Sequence, residues 1–574
     1  MGPIDQEKEG RREAFWPLVI FAVAVVLRLL MLAGLKDAPT FQTPVLDAGH
    51  YNARAVQLLQ GRTGPDLFWQ PVLYPYFLAI VYRVVGHSFL LARVIQALVG
   101  GLTACLTFYA GRRMFGRNVG AAAGLIVAGW APLMFYELDL VADGLSAIWS
   151  VLLLLQYLRV RESRDTAAAI LLGLCAALSV LSRPTYLPFV LCGGAGLAWT
   201  GWKARSHRVP LLALSGFAAL WLPASAFSLP LTGRFNPLPF SGGLNLHIGN
   251  NPDPCATLNI RPGRGWKELE TEPERAGAVW PADRDAFFRR RVMEFARQQP
   301  AAFARGLLAK AWRFANSREL PRNEDPYLFR RYSRLLAAGM WKVDGWGFPF
   351  GILLPWVLVG AWFGRRETPR ILPLFLVTYA ASVVLVFVSS RYRLAWIPPA
   401  AILAARGGQA WCGQLRRRAW APAFGTLALA LAVAFLVSRP AVFCEETVSY
   451  EAEMRRLIGY AKWSQGRLGE AEELLRGALE RDPSADTCDY LGRVLMDAGR
   501  AEEALAMQER AVQMAPGSAE ILNNMGMMLG RQGRHREAID IFRAALALQP
   551  DNPHIARNLE LARQKAGQPA GGSK

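Results

Sequence analysis

The side chains best suited to chemistry in this sequence are a few charged residues at the ends of long apolar runs. "PVLDAGHYNARAVQLLQG" (44–61) follows the first run and places Asp47, His50 and Tyr51 just beyond it. A carboxylate there can take a proton from a hydroxyl nucleophile as a general base. It can equally serve as the N-cap of a helix beginning at Ala48. A second acidic group, Glu137, Asp139 and Asp143, lies in "FYELDLVADG" (135–144), a short turn between two apolar runs. Acids at membrane depth are costly and tend to be functional. Glu137 and Asp143 are therefore candidates to orient a substrate or, with Asp47, to hold a divalent metal ion, whereas Asp139 reads as a solvated loop residue. Arg183, Arg391 and Arg393 end other runs. Arginine presents planar paired donors that match a phosphate, although snorkelling toward lipid headgroups would also place it there. Arg28, inside the first run, is placed to pair with one of the acids.

The elements that must hold these residues are transmembrane helices. The chain has 574 residues, 52% hydrophobic and 19% charged, with 18 Trp and 29 Phe. Several apolar runs reach the roughly 20 residues that cross a bilayer as a helix. We read eleven spans: 15–35, 89–110, 118–135, 141–158, 166–182, 185–202, 209–230, 347–363, 370–389, 394–406 and 420–438. The tenth carries Pro398-Pro399 and is expected to be broken or re-entrant. The net charge of +20 gathers in "GRRMFGR" (111–117), "RVRESR" (159–164), "KARSHR" (203–208), "FGRRETPR" (363–370) and "QLRRR" (414–418). With the N-terminus inside, all five loops fall inside, so the charge follows the positive-inside bias and does not call for nucleic acid. This orientation places 36–88, 135–144, the long loop 231–346 and everything after 439 outside. The first run is too long for a signal core and lacks a small-residue cleavage site. The seven Cys show no metal-ligand spacing, and Cys255, Cys444 and Cys488, the outer three, yield no legible disulfide framework.

Within the first outer loop, Tyr51, Ala55, Leu58 and Leu59 are spaced for one helix face. "FWQPVLYPYFLAIVYRVVG" (68–86) follows, apolar and interrupted by prolines. Two interfacial helices resting in the headgroup layer, with Trp and Tyr as anchors, fit this pattern. After Pro440 the composition turns soluble and helical, and a period of 33 to 34 residues appears. Gly-Arg at 466, 499 and 533, Ala at 471, 504 and 538, and Pro at 483, 516 and 550 recur in register, as do Gly459, Gly492 and Gly526. This pattern resembles tetratricopeptide repeats, about three of them over 440–566, with 553–566 as a capping helix and 567–574 as a disordered tail. Such repeats stack into a solenoid whose concave face usually takes a peptide.

The membrane half, 1–439, also resembles a known family. Asp47 with Tyr51 and Ala55, "QPVLYPYFLA", Gly86, "ARVIQALVG", "FYELDLVADGL", "SRPTYLPF" (182–189), "SGGLNLHIGNNPDP" (241–254) and "SSRYRLAWIPP" (389–399) follow the order seen in glycosyltransferases of the GT-C fold, nearest in pattern to protein O-mannosyltransferases and aminoarabinose transferases. The resemblance implies an all-α polytopic enzyme that transfers a sugar from a polyprenyl-phosphate carrier with inversion. It places Asp47 as general base, Arg183, Arg391 and Arg393 near the donor phosphate, and His50, Tyr51, Asn245 and Asn250 near substrate. Two departures stand out. Asp47-Ala48 replaces the Asp-Glu of many protein-modifying relatives, and Gln70-Pro71 stands where aminoarabinose-type relatives place Lys before a Pro pair. The acceptor is either a polypeptide presented by the repeats or a lipid or surface polysaccharide. A non-enzymatic scaffold would need one span to anchor it, and a transporter would show inverted repeats with paired broken helices. The composition and short loops favour a bacterial inner membrane, with the repeats in the periplasm.

Overall fold

The structure is a computed structural model that describes residues 3–163, 165–439 and 449–567. Apart from Gly567, which ends the last helix, the tail expected over 567–574 lies outside the described residues. The chain divides into two compact units, Met1–Arg261 with Trp266–Glu446, and Pro262–Gly265 with Thr447–Lys574.

The first unit is built from helices, its described strands being the short hairpin of Trp341–Val343 and Trp346–Phe348. Every one of the eleven expected stretches is helical, yet fewer meet the requirements for crossing a membrane. Phe15–Leu35, Phe89–Phe115, Ala142–Ser163, Arg208–Thr232 and Trp420–Val437 are long and apolar enough. Arg117–Ala128 and Ala131–Glu137 add a sixth if taken as one span bent by 57°. The bend falls at Gly129 and Pro132, where proline cannot continue the hydrogen-bond ladder. Thr166–Ser182, Phe350–Gly364 and Ile371–Leu385 are apolar but shorter. Leu18, Leu30, Leu211, Leu214, Phe424 and Phe435 are each more than half exposed, an apolar surface suited to lipid contact.

Two expectations are corrected. Pro398 and Pro399 do not break the tenth stretch; they occupy the first turn of a continuous helix, Ile397–Arg416, where a missing N–H leaves no ladder bond unmade. Asp47 does not cap a helix starting at Ala48. The helix is Leu46–Leu59, Val45 is its N-cap, and no side chain performs the capping. Helices do form where two were expected after the first run, Leu46–Leu59 and Leu73–Val85, and Tyr51 meets Tyr74 edge to face at 4.9 Å between them. Cys255 is disulfide-bonded, a link that an odd number of outer Cys had hidden.

A buried ion pair ties the first helix to the bent one. Arg28 Nε donates to Glu137 Oε2 at 2.6 Å, with side chains 0% and 1% exposed. Arg28 Nη1 also donates to the Ala24 and Ala128 carbonyls, both at 3.1 Å. This is the pairing expected of Arg28. The third helix in contact carries Gly100, whose missing side chain leaves the space the pair occupies, since a Cβ there would strike Arg28 Nε and Glu137 Oε2.

The second unit contains three antiparallel helix pairs, Tyr450–Ser464 with Leu468–Arg481, Ala485–Asp497 with Ala501–Met514, and Ala519–Arg531 with His535–Leu548, followed by Pro553–Gly567. The recurring residues have direct physical roles. Gly466, Gly499 and Gly533 adopt φ of +76°, +81° and +78° in the turns between paired helices, a left-handed conformation that favours glycine. Ala471, Ala504 and Ala538 are fully buried, where a larger side chain would hold the helices apart.

Gly100→Ala is expected to destabilise the folded chain by about 3 kcal/mol, because it forces apart a buried ion pair. Thermal unfolding of the detergent-solubilised protein checks this, and an unchanged midpoint would contradict the close three-helix packing.

Candidate functional site

Asp47 stands in the first turn of Leu46–Leu59, and its carboxylate is held from three sides. Gln70 Nε2 donates to Oδ1. Asn323 Nδ2 donates to Oδ2 at 2.6 Å, and Arg391 Nη1 donates to the same oxygen at 2.5 Å. Burial alone would raise the proton affinity of this carboxyl. The charge and hydrogen bond of Arg391, the His50 charge and the Asn323 amide outweigh it and hold the acid below its ordinary range. The preceding residue, Leu46, adopts φ +55°, a left-handed conformation that costs a non-glycine residue about 1 kcal/mol. Local strain is accepted where the chain turns to present the acid.

The three arginines expected at a phosphate take different places. Arg391, from Ser390–Arg393, joins Asp47 and lies 3.8 Å from Asp143 Oδ2. Its Nε is buried with no hydrogen-bond partner among the described residues. Arg183 forms an ion pair with Asp143 and stacks 4.3 Å over Tyr392. Arg393, two residues after Arg391, is 1% exposed. It bonds Glu319 at 2.8 Å and the Asn316 and Arg318 carbonyls at 2.7 Å each, with Phe350 4.1 Å beneath it. Its two terminal nitrogens fasten the long loop, which gives it a role in the fold.

A small open cleft adjoins Asp47; Tyr136, Asp139, Asn323, Glu324 and Arg391 also line it. Asp139, expected to be a solvated loop residue, is instead a half-buried wall of this cleft. Its Oδ1 accepts the Leu140 N–H at 2.8 Å. Burial pushes its carboxyl up to about 6 in spite of Arg93. Glu324 is driven well above the usual carboxylate range by burial and by the Asp139 charge beside it. Sequence reading missed Glu324, Asn323, Gln70 and Arg54. "NEDP" (323–326) carried a signal for the first two, a polar and acidic step before proline within a long loop. Asp325 caps the short helix Pro326–Phe329, which leaves its two neighbours facing the cleft.

Of the other expected residues, Asp143 adjoins this centre through Arg391 at 3.8 Å. Glu137 is committed to Arg28 and Asp143 to Arg183. Among the described residues no group of three or more His, Cys, Asp or Glu is arranged to hold a metal ion. The three acids proposed to share one are each neutralised by an arginine, so they do not fit that role. His50 is exposed and Tyr51 is buried against Tyr74. Asn250 donates to the Leu246 and Leu385 carbonyls at 2.8 Å and accepts from Lys310 Nζ at 2.7 Å. Its amide is spent on the fold, which corrects its assignment to substrate. Asn245, half-buried in Gly242–Gly249, is outside the cleft lining. His247, in the same helix, has a buried Nδ1 without a hydrogen-bond partner among the described residues, and burial pulls the imidazole down to about 4.

The raised acids give a testable pH dependence. Between the ordinary Asp range and about 6 the folded chain holds a proton on Asp139 that the unfolded chain has released. Stability therefore falls as pH rises through that window. Asp139→Asn removes this group and the charge acting on Glu324, so the slope should flatten. Unfolding midpoints of the detergent-solubilised chain from pH 4 to 7 measure it.

The segment 69–227 matches the family model for dolichyl-phosphate-mannose-protein mannosyltransferases. Residues 441–486 and 485–551 match tetratricopeptide-repeat models. No curated protein matches the chain. Among solved structures it is similar to the oligosaccharyltransferase AglB from Archaeoglobus fulgidus, in complex with an inhibitory peptide and a dolichol-phosphate. That match has 15% identity and a TM-score of 0.41, over 80% of this chain and 59% of that one. It is also similar to ArnT from Cupriavidus metallidurans bound to undecaprenyl phosphate, with 15% identity and a TM-score of 0.33 over 70% of this chain and 79% of that one. A third similar structure is MamA AMB-1, with 21% identity and a TM-score of 0.19 over 25% of this chain and 75% of that one. The chain thus joins a segment that matches the model for dolichyl-phosphate-mannose-protein mannosyltransferases to a C-terminal region that matches tetratricopeptide-repeat models.

Proposed function

We propose that this chain is an integral-membrane glycosyltransferase that moves a sugar from a polyprenyl-phosphate carrier to an acceptor hydroxyl with inversion. One observation carries the reading. The Asp47 carboxylate and the Arg391 guanidinium face the same open cleft, so a proton acceptor and an anion partner stand side by side. The match of 69–227 to a mannosyltransferase family supports glycosyl transfer.

In this reaction the acceptor O–H gives its proton to Asp47 while its oxygen forms a bond to the anomeric carbon. The carbon–oxygen bond to the carrier breaks, and the phosphate leaves with the electron pair. Arg391 faces that phosphate with a buried Nε that has no other partner among the described residues. Arg183 supports it indirectly by holding Asp143. As the phosphate draws on Arg391, the hold of the guanidinium on Asp47 weakens and the base strengthens. No step requires a metal ion.

The basic loops support an orientation with this cleft on the outer face, the N-terminus inside and the repeats outside. The repeats support a polypeptide acceptor, because their concave faces usually hold extended peptides or helices. A lipid or polysaccharide acceptor would use the same cleft.

Asp47→Asn should leave a folded membrane protein and lower transfer at least about 100-fold, the lower end of a general base's contribution. Membranes carrying either form, supplied with polyprenyl-phosphate mannose, give the rate, and mass spectrometry of the glycosylated products identifies the acceptor. Undiminished transfer by Asp47→Asn would remove Asp47 as the base.

A further inference from the structure

The residue that stands where some relatives carry lysine has a different task here. Arg54 Nη1 donates to Gln70 Oε1 at 2.6 Å. Arginine has no acceptor atom, so it must face the oxygen of the Gln70 amide. The other end of that amide, Nε2, is thereby turned to Asp47 Oδ1. Arg54 is itself buried, and its position on the same helix as Asp47 gives the relay a rigid base. The amide orientation is set by this network and cannot be reversed without placing two donors together.

The consequence appears when the lone pairs of the carboxylate are counted. Each oxygen can accept about two hydrogen bonds. Oδ2 takes Asn323 at 2.6 Å and Arg391 at 2.5 Å, and is filled. Among the described residues Oδ1 takes only Gln70. The side chain is 22% exposed and borders the cleft, which leaves room for a further partner at Oδ1.

Resting on the glycosyl-transfer reading above, we propose that Gln70, fixed by Arg54, is a positioning residue for Asp47 and makes Oδ1 the atom that receives the acceptor's proton. The acceptor O–H bond breaks toward Oδ1, the new bond forms from that oxygen to the anomeric carbon, and the carrier phosphate departs with the electron pair. Gln70 touches neither sugar nor phosphate. It fixes the rotation of the carboxylate and supplies the one hydrogen bond that leaves the reactive lone pair open.

The test uses the full chain in membranes with polyprenyl-phosphate mannose, measuring kcat from pH 4 to 8. Gln70→Leu removes a hydrogen bond that favours the charged carboxylate, so the base titrates at higher pH. The acid limb of the profile should move up by about one pH unit, and kcat at neutral pH should fall about tenfold through lost alignment. Gln70→Glu puts a second carboxyl beside Oδ1 and should move the limb further in the same direction. It should also make the unfolding midpoint depend on pH near neutrality, a readout independent of transfer. A merely structural role would reduce the amount of folded protein without moving the limb. Wild-type transfer with an unmoved limb in both variants overturns this inference alone. Wild-type membranes that form no product overturn the transferase reading and this inference with it.

Discussion

The structure around the cleft depends on one constraint: a carboxylate kept charged while largely withdrawn from water. Removing an ionised acid from solvent is unfavourable unless donors replace the lost water. For Asp47 the replacements arrive from remote parts of the chain. Asn323 and Arg391 are 276 and 344 residues away in sequence, and Gln70 is 23 away. The carboxylate can therefore be satisfied only when the first loop, the long loop and the segment after Ile371–Leu385 have all reached their places. The acid thus ties its own satisfaction to the assembly of all three segments.

Buried charge is handled by local pairing throughout the first unit. Arg28 is matched by Glu137, Arg183 by Asp143 and Arg393 by Glu319. Each pair joins elements far apart in sequence. Arg391 differs. It lies near two acids, and one buried donor is left without a partner among the described residues. An arginine shared between two acids is suited to exchange partners, which one paired with a single acid, such as Arg28 with Glu137, is not.

This difference also separates what the sequence could tell from what it could not. Asp47 was legible because an acid at the end of an apolar run is rare and demands an explanation. The repeat glycines were legible because their period is regular and each has a local cause, either a left-handed turn or a close helix approach. Arg391 and Arg393 were not separable by type or by exposure to the bilayer end. They stand two residues apart on one short helix, so they point in different directions, one into the cleft and one beneath it. Gln70 and Asn323 carry no charge and sit in ordinary loop sequences, and their importance comes only from what folding sets opposite them. Asp139 was misjudged because a turn between spans is usually wet, whereas here Tyr136, Glu324 and neighbouring backbone enclose it.

The lowered proton affinity of Asp47 at first sight argues against a base, because a weakly basic carboxylate is a poor proton acceptor. The cause of that lowering resolves the difficulty. Burial acts to raise the affinity, and the opposing pull comes first from Arg391, with His50 and Asn323 adding to it. The strongest restraint is thus the group with a spare donor toward an anion. In a cleft where water is scarce, a second anion at Arg391 changes the field at Asp47 far more than it would in solvent. A carboxylate held quiet by a shared arginine is protected from stray protonation until an anion competes for that arginine. On the proposed reaction, the burial that makes the resting acid difficult to accommodate would then strengthen it as a base.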